Sequence, residues 1–172
     1  MSEFFTVLTS AGEARIANAI ATNTTLNVSH VAVGDGNGAP VAVIEGRVAL
    51  VGEVYRAPIN TLAQDPVDLS LYVAELVIPS EVGGWTIREV GLFDDAGTLL
   101  AYGNFPESYK PVIAEGSAKE LVVRMYMRAS AGASIQLKID PTVVLSTRAW
   151  VLSQIKAATR ISRPATYFIA QI

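Results

Sequence analysis

The chain has 172 residues, 51% of them hydrophobic, with 13 Lys+Arg against 16 Asp+Glu and no cysteine. That length suits one domain, or a domain with an appendage, and buries a sizeable core. The scattered basic residues exclude a phosphate-tracking nucleic-acid surface, and the missing thiols exclude disulfides, zinc ribbons and thiol catalysis.

Only 17% of residues are charged, below the roughly 25% of an average soluble domain. Either a large core or a surface covered by a partner accounts for the deficit. No apolar run approaches the ~20 residues of a membrane span, so membrane insertion is not expected. The first fifteen residues lack the basic-then-apolar order of a signal peptide, which implies assembly in a cytoplasm.

In chain order, Phe4, Phe5, Val7 and Leu8 form a short apolar lead. Ser10-Ala-Gly-Glu13 has the spacing of a capping box, followed by Ala14, Ile16, Ala17, Ile20 and Ala21 at helical intervals. This predicts a small N-terminal helix ending near Thr22 and packing closely through its alanines. Residues 28–33 read as a strand, broken by Gly34-Asp-Gly-Asn-Gly38, a tight turn whose glycines supply positive φ. Residues 39–50 are ambiguous. Residues 53–63 are compatible with a strand that Pro58 confines to an edge or bulge.

From Leu71 the pattern is β. Tyr72, Ala74, Leu76 and Ile78 alternate with Leu71, Val73, Glu75 and Val77, so both faces are largely apolar and the strand reads as central. Strands over 85–93 and 99–104 flank Asp94-Asp-Ala-Gly97, a hairpin turn. Leu121, Val123, Met125 and Met127 alternate with Glu120, Arg124 and Arg128. Ile135, Leu137 and Ile139 repeat the alternation, and the Ser130-Ala-Gly-Ala133 link suits a hairpin between the two.

After Pro141, Ser146 or Thr147 caps a second predicted helix whose stripe holds Val151, Leu152, Ile155 and Ala158. Beyond Pro164 the uncharged stretch Ala-Thr-Tyr-Phe-Ile-Ala-Gln-Ile is β-prone, and is expected to pair with its own sheet or, as we favour, with another chain. The fold class is therefore mainly β (α+β): an antiparallel sheet or sandwich with a small N-terminal helix, then a C-terminal helix and extended tail. Residues 1–141 form the main domain and residues 142–172 the appendage.

Candidate chemistry is sparse. His30 is the sole histidine, with Ser29 expected on the opposite strand face, so a triad built there is outweighed by a structural role. The glycine loop at 34–38 lacks the Lys-Ser/Thr and helix start of a phosphate cradle, and Asp35 and Asn37 lack the further ligands of a calcium loop. Asp94 and Asp95 read as turn formers rather than acid–base partners. Arg88 and Glu89 sit on opposite strand faces, so at least one points toward protein. Trp85, Tyr102, Phe105 and Tyr109 suit either a core or an interface.

Several segments in order resemble the N-terminal domain of tail-fibre (tail-collar fibre) proteins of contractile-tailed phages and R-type pyocins. They are Thr9-Ser-Ala-Gly12, Ala32-Val-Gly-Asp-Gly36, Glu53-Val-Tyr-Arg56 with Asn60, Ala74-Glu-Leu-Val-Ile-Pro79 and Glu81-Val-Gly-Gly-Trp85. Ile87-Arg-Glu-Val-Gly-Leu92, Asp94-Asp-Ala-Gly97, Glu107-Ser-Tyr-Lys-Pro111, Glu115-Gly-Ser117, Ile139-Asp140 and Thr147 before Trp150-Val151 complete the series.

The resemblance implies a homotrimeric structural protein of the virion tail that clasps a baseplate wedge protein and carries a host-recognition fibre. It calls for no enzyme activity, cofactor or metal. No shaft-like repeats follow Trp150, so an adaptor for a separate distal fibre protein is expected, with direct recognition of host surface glycans as the alternative. Apolarity and position select Phe4, Phe5, Val151, Ile155, Tyr167 and Phe168 as contact residues.

Overall fold

A computed structural model describes residues 4–112, 120–129 and 135–137. Its elements are β1 (Thr6–Leu8), α1 (Ser10–Ala21), β2 (Leu26–Gly34), a 3-10 turn (Gly36–Gly38), β3 (Glu53–Pro58) and β4 (Thr61–Gln64). They continue with β5 (Leu71–Ile78), β6 (Trp85–Asp94), β7 (Leu99–Lys110), β8 (Leu121–Arg128) and β9 (Ile135–Leu137). The larger sheet runs β1-β7-β6-β2-β3 with β9 added to β2; the smaller is β4-β5-β8. Every pairing is antiparallel except β2 with β9.

The main core joins both sheets. Val31, Val33 and Leu92 of the larger sheet and Leu76, Ile78 and Met125 of the smaller belong to one buried cluster. Fully burying each such side chain contributes about 1.5–3 kcal/mol, so face-to-face packing dominates stability. A second cluster lies on the other face of the larger sheet. There Ala32, Phe93, Leu99 and Tyr102 are covered by Leu50, Val41 and Val43 from the connection between the 3-10 turn and β3. That stretch, ambiguous in sequence, has no regular element of its own and acts as a lid on the sheet.

The mainly β architecture with an N-terminal helix stands as expected. β5 is central, between β4 and β8; its Tyr72, Ala74, Leu76 and Ile78 face is buried, and Leu71, Val73 and Glu75 opposite are half-buried. Pro58 ends β3 opposite His30 on a sheet edge, where a residue without an N–H is tolerated. Gly97, Gly36 and Gly38 take positive φ, whereas Gly34 is a strand residue paired with Glu89.

Three local expectations are corrected. The helix cap is Thr9, not Ser10: its Oγ1 accepts from Gly12 N at 2.9 Å. Thr9 itself is fixed by β7, its Oγ1 donating to Leu99 O and its N–H to Leu100 O. That anchorage sets the start of α1 one residue earlier than the Ser-x-x-Glu pattern implies. The inward stripe is Gly12, Ile16 and Ala19, while Ala14, Ala17, Ile20 and Ala21 face outward. Finally, β9 does not form a hairpin with β8. It crosses to the larger sheet and pairs in parallel with β2, Leu26 opposite Ile135. The 142–172 helix and tail lie outside the described residues.

Candidate interaction surfaces

Glu89 is a fully buried carboxylate with three hydrogen-bond donors. It sits on β6 at a register shift against β7, facing the lid, and is 0% exposed. Its Oε1 accepts from Gly52 N at 2.7 Å, and Oε2 accepts from Val51 N at 3.0 Å and Tyr102 Oη at 2.6 Å. Three donors on one buried carboxylate tie the end of the lid to the sheet. The Arg47 guanidinium, also from the lid, lies 4.9 Å from the centre of the Tyr102 ring. Gly34 and Gly52 leave room for this arrangement. A Cβ on Gly52 would meet Asn37 N at 2.7 Å, and one on Gly34 would meet Gly52 O at 2.6 Å.

Burial, then the bond to Glu89 and its charge, raise the Tyr102 phenol above its ordinary value. A phenol held protonated in the fold stabilises it fully below the unfolded value of about 10; that stabilisation is lost as pH rises toward the folded value. The stability advantage of the native chain over Tyr102→Phe should therefore narrow between pH 9 and pH 11, read as urea midpoints. An advantage that stays constant would show that the phenol does not couple folding to pH.

Arg88, on the opposite face, bonds Glu107 Oε1 at 2.8 Å and Asp35 O at 3.1 Å. Both members of the Arg88–Glu89 pair thus have protein partners. Lys110 is buried, with Nζ donating to Pro111 O at 3.1 Å. Asp94 is also buried: Oδ1 accepts from Ala96 N and Thr98 N, and Oδ2 meets Arg15 Nε at 3.1 Å. It closes the β6–β7 turn and holds α1 on it, as a turn former should.

Ser29 and His30 do meet, contrary to the opposite-face expectation, because β2 bulges between Val28 and His30. His30 Nδ1 lies 2.8 Å from Ser29 Oγ, and that oxygen also donates to Asp94 O at 2.8 Å. A carbonyl only accepts, so the serine's one hydrogen is committed there and the histidine must donate. This polarity is the reverse of an activated nucleophile. Among the described residues, no three His, Cys, Asp or Glu side chains cluster to hold a metal ion.

The described surface is notable for exposed apolar groups. Phe4 and Phe5 are 50% and 48% exposed, and with β1 they line a groove of about 570 Å³. Its opposite wall is β8, from Arg124 to Arg128, including the half-exposed Tyr126. Met125 and Val90 reach it from the core side. The lid exposes Ile44 and Val48, and the β4–β5 loop exposes Val67 and Leu69. That loop is braced from within: Asp65 Oδ1 accepts from Val67 N and Asp68 N, and Asp68 Oδ1 accepts from Ser70. Those bonds hold both carboxyls below the ordinary Asp range.

Of the residues selected from sequence, Phe4 and Phe5 therefore come together at the groove. Val151, Ile155, Tyr167 and Phe168 lie outside the described residues. The Glu89 network and the β8 wall were missed. The signal for the first was an acid in the middle of a largely apolar strand, but its amide partners are non-local. The second depends on which strands end up at sheet edges.

The described residues form two packed β-sheets with exposed apolar side chains at their rims. The chain belongs to the phage tail-collar fibre protein family: the model of that family's N-terminal part matches residues 1–149. It is similar to a probable tail fibre protein of Escherichia phage P2, 45% identical over 150 residues, covering 87% of this chain and 22% of that protein. The chain thus spans about a fifth of the length of that relative. No solved structure matches. The protein is a bacteriophage tail fibre structural protein, which places it in the virion tail.

Proposed function

We propose that this chain is the anchoring unit of a tail fibre: a homotrimer that docks on a baseplate wedge protein and holds the host-recognition fibre to the tail. Assembly takes place in the host cytoplasm, and a separate distal fibre protein is the further partner. One observation carries this reading. The family match covers the N-terminal part of a fibre protein, and the described residues of this part expose apolar side chains at the Phe4–Phe5 groove, the lid and the β4–β5 loop. Three copies on one particle gain avidity, since each contact raises the effective concentration of the next.

Phe4, Phe5, Val151, Ile155, Tyr167 and Phe168 are the proposed fibre–fibre and fibre–baseplate contacts. The test is solution mass by light scattering, followed by capture of the same phage's baseplate wedge protein. The anchor reading expects a mass three times the 18.3 kDa of the chain and retention of the wedge protein. A monomer that captures no wedge protein would overturn it. Saturable binding on a glycan array, with no wedge capture, would transfer the function to direct receptor recognition.

A further inference from the structure

The groove between β1 and β8 lies at two open sheet borders. Among the described residues β1 ends the order β1-β7-β6-β2-β3, and β8 ends the order β4-β5-β8. A border strand presents a row of backbone N–H and C=O groups that template another strand, and proteins usually blunt such rows with charge, proline or a bulge. β8 holds an unbroken antiparallel register with β5 over eight residue pairs and contains no proline. It does carry Arg124 and Arg128, but both charges are drawn back toward the β5 side. Arg124 Nε bonds Glu75 Oε2 at 2.9 Å, and Arg128 Nη1 meets Asp68 Oδ2 at 3.2 Å. Both guanidiniums still line the groove, but each is neutralised by its acid, beside Phe4, Phe5 and Tyr126.

We propose that the free border of β8 accepts residues 166–172 of a neighbouring copy as a fourth strand of the smaller sheet. The chemistry of that segment fits the place. Thr-Tyr-Phe-Ile-Ala-Gln-Ile has no charge, proline or glycine and is rich in β-branched and aromatic residues, the types that settle on a pleated, half-buried surface. Seven extended residues span about 23 Å at ~3.3 Å each, enough to run along most of β8. Alternate side chains enter the groove beneath Phe5, and the others extend the outer face beside Tyr126. Main-chain bonds supply affinity, and the groove selects the side chains.

The neighbouring copy is the donor because the inference rests on the trimeric reading. One donor segment and one acceptor border per chain make a head-to-tail contact, and three such contacts close a ring.

The absence of cysteine makes the test direct. In the full-length chain, Tyr126→Cys is combined with Ile169→Cys or with Ala170→Cys, adjacent positions that face opposite sides of a strand. Val48→Cys on the lid, with the same donors, is the control. Mild oxidation of the Tyr126 pairs should give disulfide-linked dimers and trimers on a non-reducing gel, at a yield at least tenfold above the control. Disulfides formed only within single chains would overturn the exchange and make each chain's own segment the occupant. No enrichment over the control in either donor, with light scattering still showing a trimer, would overturn the inference and leave the trimeric reading standing. No enrichment together with a monomer would overturn both.

Discussion

Replacing Glu89 with alanine is expected to loosen the lid and lower the melting temperature by about 8–16 °C. The carboxylate is fully buried and satisfies Val51 N, Gly52 N and the Tyr102 hydroxyl. Its removal leaves the buried Tyr102 phenol and two part-buried backbone amides without their acceptor. Each buried donor left without a partner costs about 1–3 kcal/mol. Allowing for relaxation, a loss of about 4 kcal/mol follows, and for a chain of this size each kcal/mol shifts the midpoint by roughly 2–4 °C. Glu89→Gln keeps the shape and one acceptor but turns an amide N–H toward a donor, so it should lose about half as much. Hydrogen exchange should show faster exchange at residues 50–52 in Glu89→Ala, with the β5–β8 amides much less affected. Uniform acceleration would mean that the lid and the sandwich unfold as one unit.

The reach of the sequence is visible in the same residues. Strand alternation around Leu76, Val123 and Met125 identified the core face, because a two-residue period is local information. Pro58 marked an edge and Gly97 a hairpin for equally local reasons. Arg88 and Glu89 were legible only as a pair of which at least one faces protein; which one, and its purpose, were not. The amides Glu89 accepts from belong to residues 37 and 38 positions earlier, in a stretch with no periodicity of its own. The β9 strand failed in the opposite way. Its alternation with β8 suggested a local hairpin, yet it pairs with Leu26–Val28 in parallel across the molecule. Pairing partners are set by burial over the whole fold, which alternation cannot report. Phe4 and Phe5 were picked out by apolarity and position; only the ends of the two sheets show what they flank.

Gly12→Ala is the second change expected to be severe, although helix propensity argues for it. Glycine inside a helix is about 1 kcal/mol worse than alanine, so an isolated helix would gain. Here Gly12 lies against β7, and an added Cβ would sit 2.8 Å from the carbonyl carbon and 2.9 Å from the Cα of Leu100. These are backbone atoms of β7, at its register shift against β6, so no rotamer change relieves the clash. The helix must back away, and doing so pulls on Thr9, whose hydroxyl and amide are bonded to Leu99 and Leu100. Overpacking of this kind costs about 1–3 kcal/mol or more, to which part of the ~1–2 kcal/mol cap contribution is added. A net loss of about 2–4 kcal/mol is expected by urea unfolding. Thr9→Ala should lose about 1–2 kcal/mol and Ser10→Ala almost nothing, since the Ser10 hydroxyl makes one exposed contact of 3.4 Å to Glu45 O. That ranking separates the two possible helix starts. If Ser10→Ala proved the more damaging of the pair, the capping box read from the sequence would be the true one, and the docking of α1 on β7 would have to be redrawn.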